Sequence, residues 1–114
     1  MKPRLRDHFE KELRDATEAE ACGHWRSAWA SLERAHILGQ KNIKAHVRVH
    51  WRMMAFAWRR KDRRELMGQV PRLVIAGPGS LMGREPKGNT GSSNVGLFVR
   101  MPIPEDLQTL LRES

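Results

Sequence analysis

This 114-residue sequence lacks the features that would cross-link the chain or attach it to a membrane. Its single cysteine, Cys22, cannot form an intramolecular disulfide. No apolar run approaches the roughly 18 residues that suggest a membrane-spanning helix. The start, MKPRLRDHFEKEL, has no hydrophobic stretch of the kind found in a secretory signal. We therefore expect a reduced, soluble, cytoplasmic protein of one domain that does not enter a membrane.

Recognised catalytic motifs are also missing. The histidine pair in HVRVH, residues 46–50, lacks the glutamate of the HExxH metalloprotease motif. The glycine-rich stretch that begins at Gly77 follows no strand and contains no GK[ST] sequence, so it gives weak support for nucleotide binding. No nucleophile and base, and no pair of carboxylates, has a spacing that requires catalysis. We therefore expect a non-enzymatic protein.

Acidic residues are scarce in the middle of the chain. Residues 1–20 contain five basic and six acidic side chains, whereas residues 21–64 contain eleven and two, and the whole chain has a net charge of +8. Such a charge can attract an acidic partner or nucleic acid, or can be a solvated surface without a partner. No recognised nucleic-acid-binding motif accompanies it, so nucleic acid is the weaker hypothesis. The candidate contacts for an acidic protein partner are Arg48, Arg52, Arg59, Arg60, Arg63 and Arg64.

Hydrophobic spacing predicts an all-α fold with about four antiparallel helices. The first helix covers about residues 4–22 and ends at Gly23, and the second continues from His24 until Gly39 stops it. A third helix is expected after Asn42, whose side chain can accept a hydrogen bond from a first-turn amide.

The third helix should end near Lys61, and Asp62 followed by Glu65 resembles the start of a fourth. That fourth helix continues through Leu66 and Val70 towards Ile75, and Pro71 must bend or split it. Glu65 is therefore interpreted as a capping residue rather than as a metal ligand.

Two segments of the chain share a helical pattern. Residues 23–35, GHWRSAWASLERA, can be aligned with residues 61–73, KDRRELMGQVPRL, and most apolar positions of the predicted helix face are kept. The first copy resembles the second helix of a tetratricopeptide hairpin. We therefore predict stacked helical hairpins in residues 1–76, an irregular Gly/Pro-rich tail in residues 77–114, and a short C-terminal helix that packs back through Leu107, Leu110 and Leu111.

The tryptophans follow helical spacing, which predicts burial. Trp25 and Trp29 lie on the second predicted helix. On the third, Val47, Trp51, Met54 and Trp58 form one apolar stripe, and a second stripe runs alongside it. The second stripe contains Ile43, His46, His50, Met53 and Ala57.

Three of the five histidines lie within residues 36–50. His36 is near the end of the second predicted helix, and His46 and His50 lie four residues apart at the start of the third, so the three rings can converge. Imidazole nitrogens suit zinc, nickel or copper, and Glu33 is an optional fourth ligand. The alternative is that these histidines are structural, with hydrogen bonds to the backbone or with exposed rings.

A family resemblance is carried by AWASLERAHILGQ, HVRVHW, ELMGQ, GNTG and MPIPEDL in this order, over about residues 8–111. This string resembles a small bacterial family known as domain of unknown function 3703. The resemblance implies a compact helical bacterial protein and carries no established catalytic residues. GNTG and MPIPEDL then mark a tail that returns to the helices, with Ile103 and Leu107 packing against them.

Overall fold

The fold was obtained as a computed structural model that describes residues 1–62, 64–65, 67–69, 71–72 and 102–113. Four continuous helices occur in these residues: α1 (Pro3–Ala21), α2 (Trp25–Gly39), α3 (Ile43–Arg59) and α4 (Glu105–Glu113). No strand is present in the described ranges. The predicted all-α fold is therefore confirmed. Among the same residues, no helix combines the length and the apolar character needed to cross a bilayer.

A further helical segment follows α3, and we refer to it as the Gln69 segment. The backbone amide of Glu65 donates to Oδ1 of Asp62 over 3.1 Å, as expected where a helix begins. Pro71 and Arg72 are helical. The segment is defined by its described residues Arg64, Glu65, Met67, Gly68, Gln69, Pro71 and Arg72. Leu66, Val70 and Ile75, which were predicted to lie on this helix, fall outside the described residues.

The turn between α1 and α2 is built on a glycine. Gly23 has φ +78°, in the left-handed region that costs a glycine little. The amides of Gly23 and His24 donate to the carbonyls of Glu20 and Ala19 over 3.0 and 2.8 Å, which satisfies carbonyl groups at the end of α1. The predicted role of Gly23 is confirmed.

Gly39, the glycine that was predicted to stop α2, lies where three helices approach closely. It is the last helical residue, and it is buried. A Cβ atom at this position would lie 2.8 Å from Cε2 of Phe9 and 2.9 Å from Cβ of Ala45. The missing side chain therefore lets α1, α2 and α3 approach closely at this point.

Ion pairs between the helices establish their relative directions. Nε of Arg34 on α2 donates to Oε2 of Glu12 on α1 over 2.8 Å, and Phe9 lies against Gly39, so α1 and α2 are antiparallel. Arg48 pairs with Glu10, and Arg59 pairs with Glu20, so α3 runs parallel to α1. The three helices therefore alternate in direction along the chain. This order agrees with helical hairpins, while the resemblance to tetratricopeptide repeats stays a prediction.

The C-terminal helix α4 packs against α1 and α2. Leu107 is fully buried in the core, and Ile103, Leu110 and Leu111 pack against it. Asp106 pairs with Arg34, and Glu113 pairs with Arg4. The predicted apolar edge of this helix is therefore present. The Gly/Pro-rich stretch before it, including the predicted GNTG turn at residues 88–91, lies outside the described residues.

The burial predicted for the tryptophans is wrong for three of the four. Trp51 and Trp58 are 60% and 72% exposed and Trp25 is 42% exposed, whereas Trp29 is half-buried with its ring centroid 5.5 Å from that of Phe56. Both apolar stripes of α3 obey helical spacing, so periodicity could not decide which of them faces inward. The inward face contains Ala45, His46, Val49, His50, Met53, Phe56 and Ala57.

Candidate metal centre

The tight connection between α2 and α3 positions three histidines. His36 lies in the last turns of α2, and His46 and His50 lie on one face of the first two turns of α3. Oδ1 of Asn42 accepts a hydrogen bond from the amide of Ala45 over 3.0 Å, so Asn42 caps α3 as predicted. This cap fixes the start of α3 directly opposite the end of α2.

The three imidazole rings meet in one small buried space. Nε2 of His46 lies 3.0 Å from Nε2 of His36 and 3.1 Å from Nε2 of His50. The ring centroids are 4.7 to 4.8 Å apart. None of the three side chains is more than 2% exposed. The structure thus brings together the three histidines that the sequence singled out.

Glu33, the optional fourth ligand, does not belong to this group. The candidate ligand atoms that lie within 4.8 Å of one another come from the three histidines alone. Glu33 is half-buried on α2, three residues before His36. The described site is therefore a set of three nitrogen donors without a carboxylate.

Burial keeps two of these rings neutral at pH 7. Desolvation lowers the pKa of His46 to about 3, with a further contribution from the charge of His50. Desolvation also lowers the pKa of His50 to about 4; the hydrogen bond with Gln69 raises this pKa, and the charge of Arg72 lowers it. A neutral imidazole is the form that coordinates a metal ion.

Two residues of the Gln69 segment form a chain of hydrogen bonds that leads to His50. Nδ1 of His50 lies 2.6 Å from Oε1 of Gln69, and Nε2 of Gln69 lies 2.8 Å from Oε1 of Glu65. Gln69 is fully buried, and Glu65 is 8% exposed. The sequence interpretation missed Gln69. The one signal available was its position four residues after Glu65, which places both side chains on one helix face.

The spacing of the nitrogen atoms is close to that of a metal site. Tetrahedral coordination with Zn–N bonds of about 2.0 to 2.1 Å separates the ligand nitrogens by roughly 3.3 to 3.4 Å. The two contacts at Nε2 of His46 are 3.0 and 3.1 Å long, and all the donors lie within 4.8 Å. Movements of a few tenths of an ångström at these two contacts would suit a metal ion, so the donor set fits zinc, nickel or copper.

Four of the six arginines predicted to contact an acidic partner make contacts within the protein. Arg48 and Arg59 pair with carboxylates of α1, and Arg52 donates to the Leu13 carbonyl and the Thr17 hydroxyl over 3.2 and 2.8 Å. Arg60 lies with Cζ 3.8 Å from the centroid of the Trp25 ring. Arg64 is exposed, and Arg63 lies outside the described residues.

Comparison with known proteins places the chain in a family. A search of curated proteins and a search of solved structures each found no match. The model of a family described as "Protein of unknown function (DUF3703)" matches residues 3–111. Because that match covers nearly the whole sequence, the chain belongs to the DUF3703 family.

Proposed function

We propose that this protein binds one transition metal ion through Nε2 of His36, His46 and His50, in a non-enzymatic role. The observation that supports the proposal is the convergence of three Nε2 atoms in a buried space, with two contacts of 3.0 and 3.1 Å at His46. Buried polar groups are costly unless their hydrogen-bonding capacity is satisfied.

The protons of neutral rings cannot supply a separate donor for each of the two contacts at Nε2 of His46. A neutral imidazole carries one N–H. That of His50 is on Nδ1, where it faces the amide oxygen of Gln69, so Nε2 of His50 offers only a lone pair. The contact between His46 and His50 then needs the proton of His46.

No separate proton on His46 is therefore available for the contact between His36 and His46. If Nε2 of His36 carries no proton, it must share the Nε2 proton of His46 with His50. If it carries one, the N–H groups of His36 and His46 face each other over 3.0 Å. A metal ion at the centre accepts a lone pair from each ring and removes this conflict. An additional proton would do the same, but burial disfavours it, as the lowered pKa values of His46 and His50 show.

The donor set also indicates the class of metal. Imidazole suits zinc, copper and nickel, whereas magnesium and calcium require oxygen ligands. Three protein ligands leave at least one coordination position for water or another small ligand. The proposal therefore covers a mononuclear site for zinc, nickel or copper.

The test is a titration of Zn²⁺, Ni²⁺ and Cu²⁺ into protein purified without an affinity tag. We expect one equivalent of at least one of these ions to bind tightly to the wild type, and the His46→Ala/His50→Ala variant to lose that binding. His8→Ala/His24→Ala is the matched control, because these two histidines lie outside the cluster, and it should bind like the wild type. Equal weak binding by the wild type and the cluster variant would rule the site out.

A second candidate function is a protein-interaction module that recruits an acidic partner. The outer face of α3 favours it, because Trp51 and Trp58 are exposed beside a groove of about 440 Å³ that Met54, Ala55 and Arg59 also line. Large exposed aromatic side chains are typical of interaction sites. Co-purification at low salt should yield a partner that high salt releases and that a Trp51→Ser/Trp58→Ser variant does not bind.

A further inference from the structure

We infer that Gln69 and Glu65 act as a positioning pair, which fixes Nε2 as the metal-binding atom of His50 and brings a negative charge to the site. The metal-binding part of this inference rests on the proposed function. The part that concerns the proton of His50 applies to the metal-free protein and stands independently.

Chemical identity determines the direction of both hydrogen bonds. A carboxylate only accepts, so the amide nitrogen of Gln69 must be the group that lies 2.8 Å from Glu65. The amide oxygen of Gln69 then faces Nδ1 of His50 over 2.6 Å. Since an amide oxygen also only accepts, the proton of the neutral His50 ring is on Nδ1, and its lone pair is on Nε2.

Burial stabilises the hydrogen bonds that join Glu65, Gln69 and His50. Gln69 is fully buried, and Glu65 and His50 are 8% and 2% exposed. Hydrogen bonds in such surroundings are stronger than in water, and a broken one leaves a desolvated polar group. The side chain of Gln69 therefore holds the His50 ring in one tautomer and one orientation before any metal arrives.

The same pair affects the charge of the site. Metal-binding histidines commonly donate their second ring N–H to a carboxylate or carbonyl group, which makes the ligand more basic. Here the amide of Gln69 separates His50 from the carboxylate of Glu65 by one further hydrogen bond. Arg72 acts in the opposite direction, because its charge disfavours positive charge on His50. The carboxylate of Glu65 would therefore lie close enough to offset part of the charge of a bound cation.

The first experiment measures the tautomer of His50 in metal-free protein at pH 7 by ¹⁵N NMR. Wild-type His50 should be protonated on Nδ1. Gln69→Leu removes the acceptor and keeps a similar volume, so His50 should lose this preference. Protonation of wild-type His50 on Nε2, or an unchanged tautomer in Gln69→Leu, would overturn the inference.

The second experiment compares metal affinities of three variants. Gln69→Leu should bind Zn²⁺ about 10- to 100-fold more weakly than the wild type, which is the usual cost of losing such a partner. The exchanged variant Glu65→Gln/Gln69→Glu keeps the composition and net charge, and it places the carboxylate directly on Nδ1 of His50. It should retain the Nδ1–H tautomer and bind Zn²⁺ at least as tightly as the wild type.

Glu105→Gln is the matched control, since it removes an exposed glutamate from α4 and should leave the affinity unchanged. If Gln69→Leu binds Zn²⁺ like the wild type, the metal-binding part of the inference fails while the metal site stands. If the wild type binds no metal, the proposed function fails, and the tautomer measurement alone decides whether Gln69 positions His50.

Discussion

The two faces of α3 reverse the usual distribution of side chains. Its inward face contains two fully buried histidines, His46 and His50, whereas its outward face shows Trp51 and Trp58 to solvent. Burying imidazole rings costs more than burying apolar side chains, and exposing tryptophans forgoes the large gain of burying them. Stability alone therefore does not account for either face, and we propose that the inward face serves metal binding through its nitrogen atoms.

Making the inward face of α3 apolar should have the largest effect on metal binding. His46→Leu/His50→Leu should lower the affinity for zinc, nickel or copper by more than about 100-fold, because only one of the three nitrogen donors remains. The melting temperature of the metal-free variant should stay the same or rise, because apolar side chains of similar volume can often replace buried polar clusters without loss of folding stability. Calorimetric titration and thermal unfolding measure both. A large drop in melting temperature with unchanged affinity would show that the histidines are structural.

Acid should lower the stability of the metal-free protein through the histidines of the inward face of α3. The folded-state pKa values of His46 and His50 are about 3 and about 4, below the ordinary value of 6.5. The unfolded chain therefore takes up protons below pH 6.5 that the folded chain excludes. Stability is retained above that pH and falls between about pH 6.5 and 3, with the contribution of His50 lost by about pH 4. Linkage limits the loss to about 1.4 kcal/mol per pH unit for each histidine.

Urea unfolding of metal-free protein at pH 7 and pH 5 measures this loss. His46→Leu/His50→Leu is the control, and its free energy of unfolding should change less over the same interval, since only its other titratable groups remain. An equal change in both proteins would mean that these histidines do not determine the acid sensitivity.

The point where α1, α2 and α3 meet should tolerate no added methyl group. A Cβ at Gly39 would lie within 3.0 Å of both Phe9 and Ala45, and Ala45 belongs to a packed helix. Gly39→Ala should therefore cost about 1 to 3 kcal/mol, the usual cost of overpacking, although alanine has the higher helix propensity. Urea unfolding would show the loss, and an increase in stability would contradict the close approach of the three helices.

The sequence predicted local structure well because local signals determine it. Gly23 and Asn42 were identified as helix ends from residue type alone, and both make the expected contacts. The convergence of His36, His46 and His50 was also predictable, because a short turn between antiparallel helices leaves few alternative arrangements.

What the sequence could not show depends on contacts between distant segments. The inward stripe of α3 was not distinguished from the outward one, since both have helical spacing. Gln69 contacts His50 across 19 residues of sequence, and no spacing rule predicts such a contact. The role of Gly39 likewise depends on Phe9, which lies on a different helix.

The smallest effect is expected on the outward face of α3. Trp58 is 72% exposed, so Trp58→Ser should change the free energy of unfolding by no more than about 0.5 kcal/mol. Its metal affinity should equal that of the wild type. A matched substitution on the inward face, Met53→Ala, should cost about 2 to 5 kcal/mol, because Met53 is fully buried. Similar costs for the two variants would show that the outward face is covered in solution.

X-ray absorption spectroscopy of the zinc-loaded protein examines the coordination itself. If the three Nε2 atoms bind one ion, the spectrum should contain about three imidazole nitrogens at roughly 2.0 to 2.1 Å, with the multiple scattering of intact rings. A first shell of oxygen atoms alone, without histidine scattering, would contradict the account.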